Sequence, residues 1–291
     1  MSLKKINLLI TGSSGYVGTN LINAALKNNF NITALSRNKI NHKSVNSIIY
    51  KLENELPPLP NDIDVLIHAA ADMTSNPISE KVEIYAAKKL IKWANLHNIR
   101  FIFISSCLAS KESQIRYGRV KYLIENLVKK ENGIIIRPTF IYGGIHKGSY
   151  KDYFTFINKS FFLPYFVPTI SIQPLYIFDL CSLILNLSTR DNLQITTYNA
   201  GYKQKVDFHK LIICLIKYKI KKRKIFIPMP TFFFESLLFC LSLFSKFFEK
   251  KYISFKYYRK TPFLDTKQTT YTTNIKFKSL EESFKLEENY E

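Results

Sequence analysis

The amino-acid sequence predicts an α/β fold: a doubly wound parallel sheet with a smaller C-terminal lobe. Three observations lead to this prediction. Short apolar runs typical of buried strands alternate with segments of helical apolar spacing, a glycine-rich loop joins the first strand to the first helix, and an aromatic, irregular stretch follows residue 143. The chain has 291 residues, which is long enough for one large α/β unit and an appended lobe.

The same pattern predicts how the chain is divided. Residues 1–143 form the first unit, a return segment at 176–199 rejoins its sheet, and residues 144–175 and 200–291 form the second lobe. Hydrophobic residues make up 46% of the chain, which excludes a disordered protein. The sequence begins without an apolar signal core, and its four cysteines are far apart, so we expect a cytoplasmic protein with reduced thiols and no metal site.

The loop between the first strand and the first helix contains three glycines. Leu8–Ile10 is the apolar strand, and residues 16–26 show the helical spacing. Gly12 permits the tight turn, Gly15 lets backbone N–H groups approach a pyrophosphate, and Gly18 lets the helix pack on the strand. The helix N-terminus then faces the phosphates with the positive end of its dipole. The sequence therefore predicts a dinucleotide site of the Rossmann type.

The end of the second strand discriminates between the two nicotinamide dinucleotides. Residues 31–37 contain this strand, with Arg37 just past its end. An acidic side chain there would accept hydrogen bonds from the ribose hydroxyls of NAD, whereas an arginine pairs with the 2′-phosphate of NADP. Ser36 and Arg37 therefore favour NADP over NAD, and an ordinary exposed arginine is the alternative.

Three further strands continue the parallel pattern. They are predicted at residues 47–50, 64–71 and 101–104, with a helix from about residue 79 to residue 97. The small residues Ala69 and Ala70 would let a cofactor lie against the backbone at the end of the fourth strand. His68 precedes them, and a histidine at the end of a buried strand is predicted to be structural.

A serine, a tyrosine and a lysine follow the fifth strand. Tyr117 and Lys121 lie four residues apart and so share one face of the next helix, while Ser106 follows the strand itself. An ammonium group favours the phenolate, so we expect Lys121 to lower the pKa of Tyr117 towards working pH. The phenol would exchange a proton with a carbinol during hydride transfer, and Ser106 would hold the substrate oxygen. A solvated helix face is the alternative.

These motifs, in this order, resemble the extended short-chain dehydrogenase/reductases, which include nucleotide-sugar epimerases, dehydratases and reductases. The resemblance rests on the TGxxGxxG spacing of residues 11–18, on His68–Ala70, on Ser105–Ser106 and on Tyr117–Lys121 with Glu125. Further matching segments are Arg137–Gly143, Tyr176–Leu180, Tyr198–Gly201 and Phe277–Glu282. The resemblance thus spans nearly the whole chain.

The resemblance implies a role for each matched residue and a possible homodimer formed through a helix bundle. Ser106, Tyr117 and Lys121 would form the catalytic triad. The residues expected to hold the cofactor are Gly12, Gly15, Tyr16, Val17 and Gly18 at the pyrophosphate, Ser36 and Arg37 at the adenosine ribose, and Ala69, Ala70, Tyr117, Lys121 and Pro138 elsewhere along it.

Three features depart from the family pattern. The aspartate expected after the third strand is replaced near residues 51–53, and the asparagine expected in the helix before the fifth strand is Glu83. The gap from Ser106 to Tyr117 is also shorter than is typical of sugar-nucleotide members. The first departure loosens the cofactor assignment, and the other two leave the substrate class open.

Positive charge is concentrated in the second lobe. The formal net charge is +20, and residues 203–260 contain 15 basic and 3 acidic side chains. A phosphorylated ligand or an anionic membrane fits this excess better than nucleic acid, because no nucleic-acid motif accompanies it. Residues 217–251 combine lysines with an apolar run that is too short to span a bilayer. We expect a helix at 231–248 that is buried in the lobe, with a helix lying in the headgroup region of a membrane as the alternative.

The sequence therefore predicts an NAD(P)-dependent enzyme that acts on a sugar nucleotide as an epimerase, a dehydratase or a 4-keto reductase. The aromatic stretch after residue 144 would either stack on a nucleotide base or form ordinary core. Two other functions stay open. One is an NADPH-dependent reductase of another carbonyl substrate, including a lipid-linked one, and the other is a non-catalytic NADP-binding protein used for assembly or sensing.

Overall fold

The structure is a computed structural model that describes residues 5–71, 77–113, 115–191, 193 and 195–288. It divides into two compact units. The first comprises Met1–Pro138, Ile177–Ala200 and Asp265–Lys276, and the second comprises Thr139–Tyr176, Gly201–Leu264 and Phe277–Glu291.

Strands and helices alternate along most of the described chain. The strands are β1 (Asn7–Thr11), β2 (Asn31–Ser36), β3 (Val45–Ile49), β4 (Val65–His68), β5 (Arg100–Ile104), β6 (Ile134–Pro138), β7 (Phe140–Tyr142), β8 (Phe162–Val167), β9 (Ser171–Ile172), β10 (Pro174–Tyr176), β11 (Thr197–Ala200), β12 (Val206–Asp207) and β13 (Ile225–Pro230). The helices are α1 (Tyr16–Lys27), α2 (Pro77–Leu96), α3 (Arg116–Lys130), α4 (Gly148–Lys159), α5 (Ile177–Thr189), α6 (Phe208–Leu215), α7 (Thr231–Ser242), α8 (Lys246–Lys260), α9 (Lys267–Thr273) and α10 (Leu280–Glu288). A π-helical turn, Ile216–Ile220, extends α6.

The first unit is built on a seven-stranded parallel sheet in the order β11-β6-β5-β4-β1-β2-β3. Its strands are nearly continuous apolar runs, as expected of a sheet covered on both faces, and Leu8, Leu9 and Ile10 are fully buried. The strand order reverses between β1 and β4, where doubly wound sheets bind their ligands at the carboxyl ends of the strands. The predicted doubly wound α/β fold is confirmed.

Two parts of the predicted division differ from the structure. Residues 139–143, which were predicted in the first unit, belong to the second, and residues 265–276, which were predicted in the second lobe, belong to the first unit. Asn199 at the end of β11 donates a hydrogen bond to the carbonyl of Asp265 at 2.9 Å. Arg190 donates to the carbonyls of Thr272 and Thr273 at 2.6 and 3.0 Å. These long-range backbone contacts had no periodic signal in the sequence.

The described part of the second unit contains three two-stranded sheets, in which β10 pairs with β7, β9 with β12 and β8 with β13. Its core includes Tyr142, whose hydroxyl is 2.6 Å from that of Ser283 in α10. In the aromatic stretch, Tyr150 and Phe166 are buried, whereas Phe161 and Phe162 are exposed. Some of these aromatic side chains are therefore core and others are surface.

The helix predicted at 231–248 is two helices, α7 and α8, joined at residues 243–245. The expectation that this segment is buried is wrong for most of its apolar side chains. Phe232 is 70% exposed, Phe233 57% and Phe244 87%. Within the described residues, every helix is too short or too polar to cross a bilayer.

Candidate active site

The glycine loop at the end of β1 is packed so closely that two of its glycines admit no side chain. Gly12 has φ of +68°, and a Cβ there would lie 2.6 Å from the backbone nitrogen of Ala70. A Cβ on Gly18 would lie 2.4 Å from the carbonyl oxygen of Gly12. Ala69 and Ala70 therefore lie against this loop, at the carboxyl end of β4.

Gly15 differs from these two glycines because its surroundings are open. A Cβ there would meet only the carbonyl oxygen of Gly12 within 4 Å, at 3.1 Å. Gly15 is the N-cap of α1, with no capping side chain and no acidic residue in the first turn. Tyr16 and Val17 begin the helix, so their N–H groups belong to its positive end. A bare backbone, an uncapped helix and open space together fit the pyrophosphate of a dinucleotide.

The end of β2 presents one of the two predicted ribose contacts to solvent. Ser36 is buried, and its hydroxyl donates to the carbonyl of Asn38 at 2.5 Å. Arg37 follows directly and is exposed. The Arg37 side chain is therefore open to solvent, while the Ser36 hydroxyl already has an acceptor.

His68 lies at the end of β4 as a neutral core residue. Its Nδ1 is 2.7 Å from the hydroxyl of Thr11, and its ring stacks on Phe103 with centroids 5.7 Å apart. Burial, with the charge of Lys121 as a smaller cause, lowers the pKa of His68 to about 3. This environment agrees with the structural role that we predicted for it.

Ser106, Tyr117 and Lys121 come together at the carboxyl end of β5. The side chains of Ser106 and Tyr117 are hydrogen-bonded. The Nζ of Lys121 lies 5.6 Å from the centroid of the Tyr117 ring and donates to the carbonyl of Ile104 at 2.8 Å. The end of β5 and helix α3 hold these three side chains, so the backbone of the fold fixes their arrangement.

The expected lowering of the Tyr117 pKa is wrong. Burial raises the pKa of Tyr117, its neighbours Cys107 and Glu83 raise it further, and the hydrogen bond to Ser106 lowers it. Burial also lowers the pKa of Lys121 to about 8, against the opposing effect of Glu83 and Glu125. The four-residue spacing correctly predicted that Tyr117 and Lys121 lie together. The pKa of Tyr117 is nevertheless raised, because the free-energy cost of burying the charged phenolate exceeds the stabilisation that Lys121 gives it.

Glu83 is a buried carboxylate beside this set. It projects from α2, is 3% exposed, and accepts hydrogen bonds from both terminal nitrogens of Arg116 at 3.3 Å. Its charge raises the pKa of both Tyr117 and Lys121. An asparagine at this position would carry no charge, so Glu83 gives the site an electrostatic environment that differs from the family pattern.

A second buried carboxylate fixes the ends of the neighbouring elements. Glu125 in α3 is fully buried and receives two hydrogen bonds from Arg137 in β6, at 2.7 and 2.5 Å. The hydroxyl of Ser105 also donates to it at 2.6 Å. Pro138, the last residue of β6, accepts a hydrogen bond from the N–H of Cys107 at 2.9 Å. These contacts hold the end of β5, α3 and the end of β6 in register around Ser106.

Sequence reasoning missed two of the contributors to this site. A Cβ on Gly118 would lie 2.4 Å from the carbonyl of Leu108, so α3 approaches the preceding loop through that glycine. The glycine directly after Tyr117 was the available signal. Arg116 was also missed, since its pairing with Glu83 spans 33 positions in the chain.

The fold and this geometry define a dinucleotide-binding protein of the short-chain dehydrogenase/reductase type. The sequence profile of the NAD-dependent epimerase/dehydratase family matches residues 8–157, and the chain belongs to that family. A UDP-glucose 4-epimerase from Vibrio cholerae is 29% identical over 195 residues. The match covers 55% of this chain and 59% of the relative, so it spans less than two thirds of the relative's length.

Solved structures share the fold across nearly the whole chain. A UDP-glucose 4-epimerase from Thermotoga maritima, solved with UDP-glucose, superposes with a TM-score of 0.72 at 16% identity, covering 98% of each chain. A dTDP-glucose 4,6-dehydratase from Bacillus anthracis, solved with NAD, has a TM-score of 0.70 at 13% identity and covers 98% of this chain and 97% of its own. At these identities the likeness concerns the fold.

Proposed function

We propose that the chain is an NAD(P)-dependent enzyme that acts on a sugar nucleotide, as an epimerase, a dehydratase or a 4-keto reductase. The observation that carries the proposal is the meeting of Ser106, Tyr117 and Lys121 at the same edge of the sheet as the glycine loop. Membership of the epimerase/dehydratase family and the likeness to a UDP-glucose 4-epimerase support it.

The proposed chemistry assigns one task to each of the three side chains. A bound nicotinamide supplies the site that accepts or donates hydride. Tyr117 moves a proton between its phenol oxygen and the sugar hydroxyl, and Ser106 orients that hydroxyl. Lys121 holds positive charge near the phenol and binds the ribose of the cofactor. Because burial raises the pKa of Tyr117, the cationic charges of Lys121 and of an oxidised nicotinamide would have to favour the phenolate.

Tyr117→Phe tests this assignment, with Tyr122→Phe in the same helix as its control. We expect the Tyr117 variant to lose about 10²- to 10⁴-fold in turnover, the usual contribution of a general acid–base group, while cofactor binding stays near normal. The assay follows product formation from a panel of UDP-, GDP- and dTDP-sugars. Retained turnover in Tyr117→Phe would contradict the role of Tyr117, and no product from any of these sugars with the unmodified chain would contradict the substrate class.

The cofactor is proposed to be NADP or NAD, and Arg37 slightly favours NADP. Arg37 is exposed directly after β2, and the next three residues, Asn38, Lys39 and Ile40, bring no carboxylate to the ribose hydroxyls. Mass spectrometry of the small molecules released on denaturation identifies the cofactor. Bound NAD near one per chain favours an epimerase or dehydratase, and NADP(H) favours a reductase. Failure to bind either one would overturn the enzyme proposal.

Arg37→Ser sharpens the cofactor test, with the exposed neighbour Lys39→Ser as control. If Arg37 pairs with the 2′-phosphate, its replacement weakens NADPH binding and leaves NADH binding unchanged, while the Lys39 variant changes neither. Equal weakening of both cofactors would contradict the assignment.

A second candidate function is reduction of a lipid-linked carbonyl substrate. The exposed phenylalanines of α7 and the α7–α8 connection favour it, because such a substrate would be presented at a membrane surface.

We further propose a reducing compartment, the cytoplasm, since all four cysteines are free. A homodimer is proposed through α2 and α3, where Tyr85 and Leu123 are exposed.

A further inference from the structure

The α7–α8 hairpin carries apolar side chains on both its inner and its outer side. Thr231 and Leu238 of α7 are buried and lie about two turns apart on the inner face. The outer face of the same helix is also apolar, with the exposed hydroxyl of Ser236 as an exception. A helix that is apolar over most of its circumference belongs in a protein core or in contact with lipid.

The hairpin is held in a defined position by aromatic packing. Phe166 of β8, Phe234 of α7 and Phe255 of α8 form a cluster with ring centroids 5.0 to 5.5 Å apart. Glu235 and Arg259 form an ion pair between the two helices, and the Thr231 hydroxyl donates to the carbonyl of Pro168 at 2.7 Å. The orientation of the outer face is therefore fixed by contacts on the inner one.

The outward side chains form what we call the apolar face. It consists of Phe232, Phe233, Leu237, Phe239, Leu243, Phe244 and Phe247, which are 44% to 87% exposed. The β8–β13 ribbon that precedes the hairpin continues it, since the paired residues Phe162 and Ile225 are 56% and 48% exposed. Exposed apolar surface of this extent marks an interaction site in a folded protein.

Cations lie at both ends of this apolar segment. Before β13, an open surface groove of about 450 Å³ is bordered by five basic residues, Lys217 and 221–224, together with Ile213, Ile216 and Phe226. After α7, Lys246 is exposed at the start of α8. Lys221 pairs with Glu288 at 2.9 Å, whereas Arg223 and Lys246 have no acidic partner among the described residues. Two of the three acidic residues in 203–260 are also engaged, Glu235 with Arg259 and Asp207 with His209.

We infer that the apolar face and its flanking cations dock the protein on the surface of an anionic lipid bilayer. Such a surface offers acyl chains to phenylalanines and phosphate groups to lysines at once. The hairpin would lie in the headgroup region, because a helix of 12 residues, about 18 Å long, is too short to cross. A symmetric contact between two copies fits less well, since it would bring the same basic clusters towards each other. This inference stands apart from the proposed catalytic activity.

Vesicle sedimentation with the full chain tests the inference. The probes are vesicles of phosphatidylcholine alone and of phosphatidylcholine mixed with phosphatidylglycerol. We expect the protein to sediment with the anionic vesicles and to stay in solution with the neutral ones. High salt should weaken the binding, since part of it is electrostatic.

Matched variants separate binding through the apolar face from nonspecific adsorption through any exposed aromatic side chain. Phe244→Ser removes a side chain that is 87% exposed, and Tyr271→Ser removes one that is 84% exposed in the first unit. We expect about a tenfold loss of vesicle affinity for the first variant and none for the second. Lys222→Glu with Arg223→Glu should weaken binding at least tenfold, whereas Lys129→Glu with Lys130→Glu on α3 should have little effect. Thermal unfolding checks that every variant folds.

A fluorescent variant gives a second readout. Trp93 is the single native tryptophan and lies in α2, so Phe244→Trp adds one reporter at the tip of the hairpin. Its emission should shift to shorter wavelength with anionic vesicles. Failure to bind these vesicles would overturn the inference, as would binding that Phe244→Ser leaves unchanged. Self-association that Phe244→Ser abolishes, without vesicle binding, would assign the face to a second copy instead.

Discussion

The two units of the chain treat apolar and charged side chains in opposite ways. Among the described residues, 23 large apolar side chains are exposed, and 18 of them belong to the second unit although it is the smaller one. The first unit instead buries charge: Glu83, Lys121 and Glu125 are all at most 3% exposed.

Architecture explains the difference. The first unit closes a seven-stranded sheet between helices, so its apolar strands are covered, and the buried charges are compensated by partners such as Arg116 and Arg137. Among its described residues the second unit has only two-stranded sheets, which do not cover the outer side of a largely apolar helix such as α7. The buried charges of the first unit therefore indicate a functional site, and the exposed apolar surface of the second unit indicates an external binding partner.

The largest expected effect on stability comes from Glu125→Gln. This change removes one partner of a buried ion pair and leaves Arg137 partly buried without its carboxylate, so we expect a loss of about 3–5 kcal/mol in the free energy of unfolding. Urea denaturation measures it. The control is Glu55→Gln, whose surface pair with Lys89 should contribute less than about 1 kcal/mol. Equal losses of unfolding free energy in Glu125→Gln and Glu55→Gln would contradict the conclusion that the first unit depends on its buried charges.

Two phenylalanines of the same hairpin sharpen the contrast for the second unit. Phe255 is 7% exposed within the aromatic cluster, and its replacement by alanine should cost about 3–5 kcal/mol. Phe244→Ala should change stability by less than about 0.5 kcal/mol, because the side chain is already in solvent. Thermal or urea unfolding of both variants provides the measurement. A large destabilisation by Phe244→Ala would mean that the apolar face is buried in solution.

A smaller effect is the pH dependence that Lys121 contributes. Burial lowers its pKa from 10.5 to about 8, so between these pH values the unfolded chain binds more protons than the folded one. The free energy of unfolding should therefore rise with pH over that range, by about 3 kcal/mol from this group. Lys121→Met should remove that part of the rise, and Lys129→Met, at an exposed position of the same helix, should not. Identical pH profiles of the unfolding free energy for Lys121→Met and the unmodified chain would contradict the assignment of this rise to Lys121.

Local patterns in the sequence determined the first unit well. The apolar runs, the glycine spacing of residues 11–18 and the separation of Tyr117 from Lys121 all act over a few residues, where strand and helix geometry are fixed by the backbone. The parallel sheet and the family followed from them. The assignment of roles to Ser106, Tyr117 and Lys121 stays a prediction until it is measured.

Tertiary structure alone decided the electrostatics of the site and the surface of the second unit. Partners that meet across 12 to 33 positions, such as Glu125 with Arg137 and Glu83 with Arg116, leave no mark in local spacing, and burial reversed the pKa shift expected for Tyr117. The apolar run at 231–244 also gave no indication of whether another element would cover it. Burial is a property of the whole fold, since it depends on what packs against a segment, and this is why α7 could be predicted as a helix but its exposed phenylalanines could not.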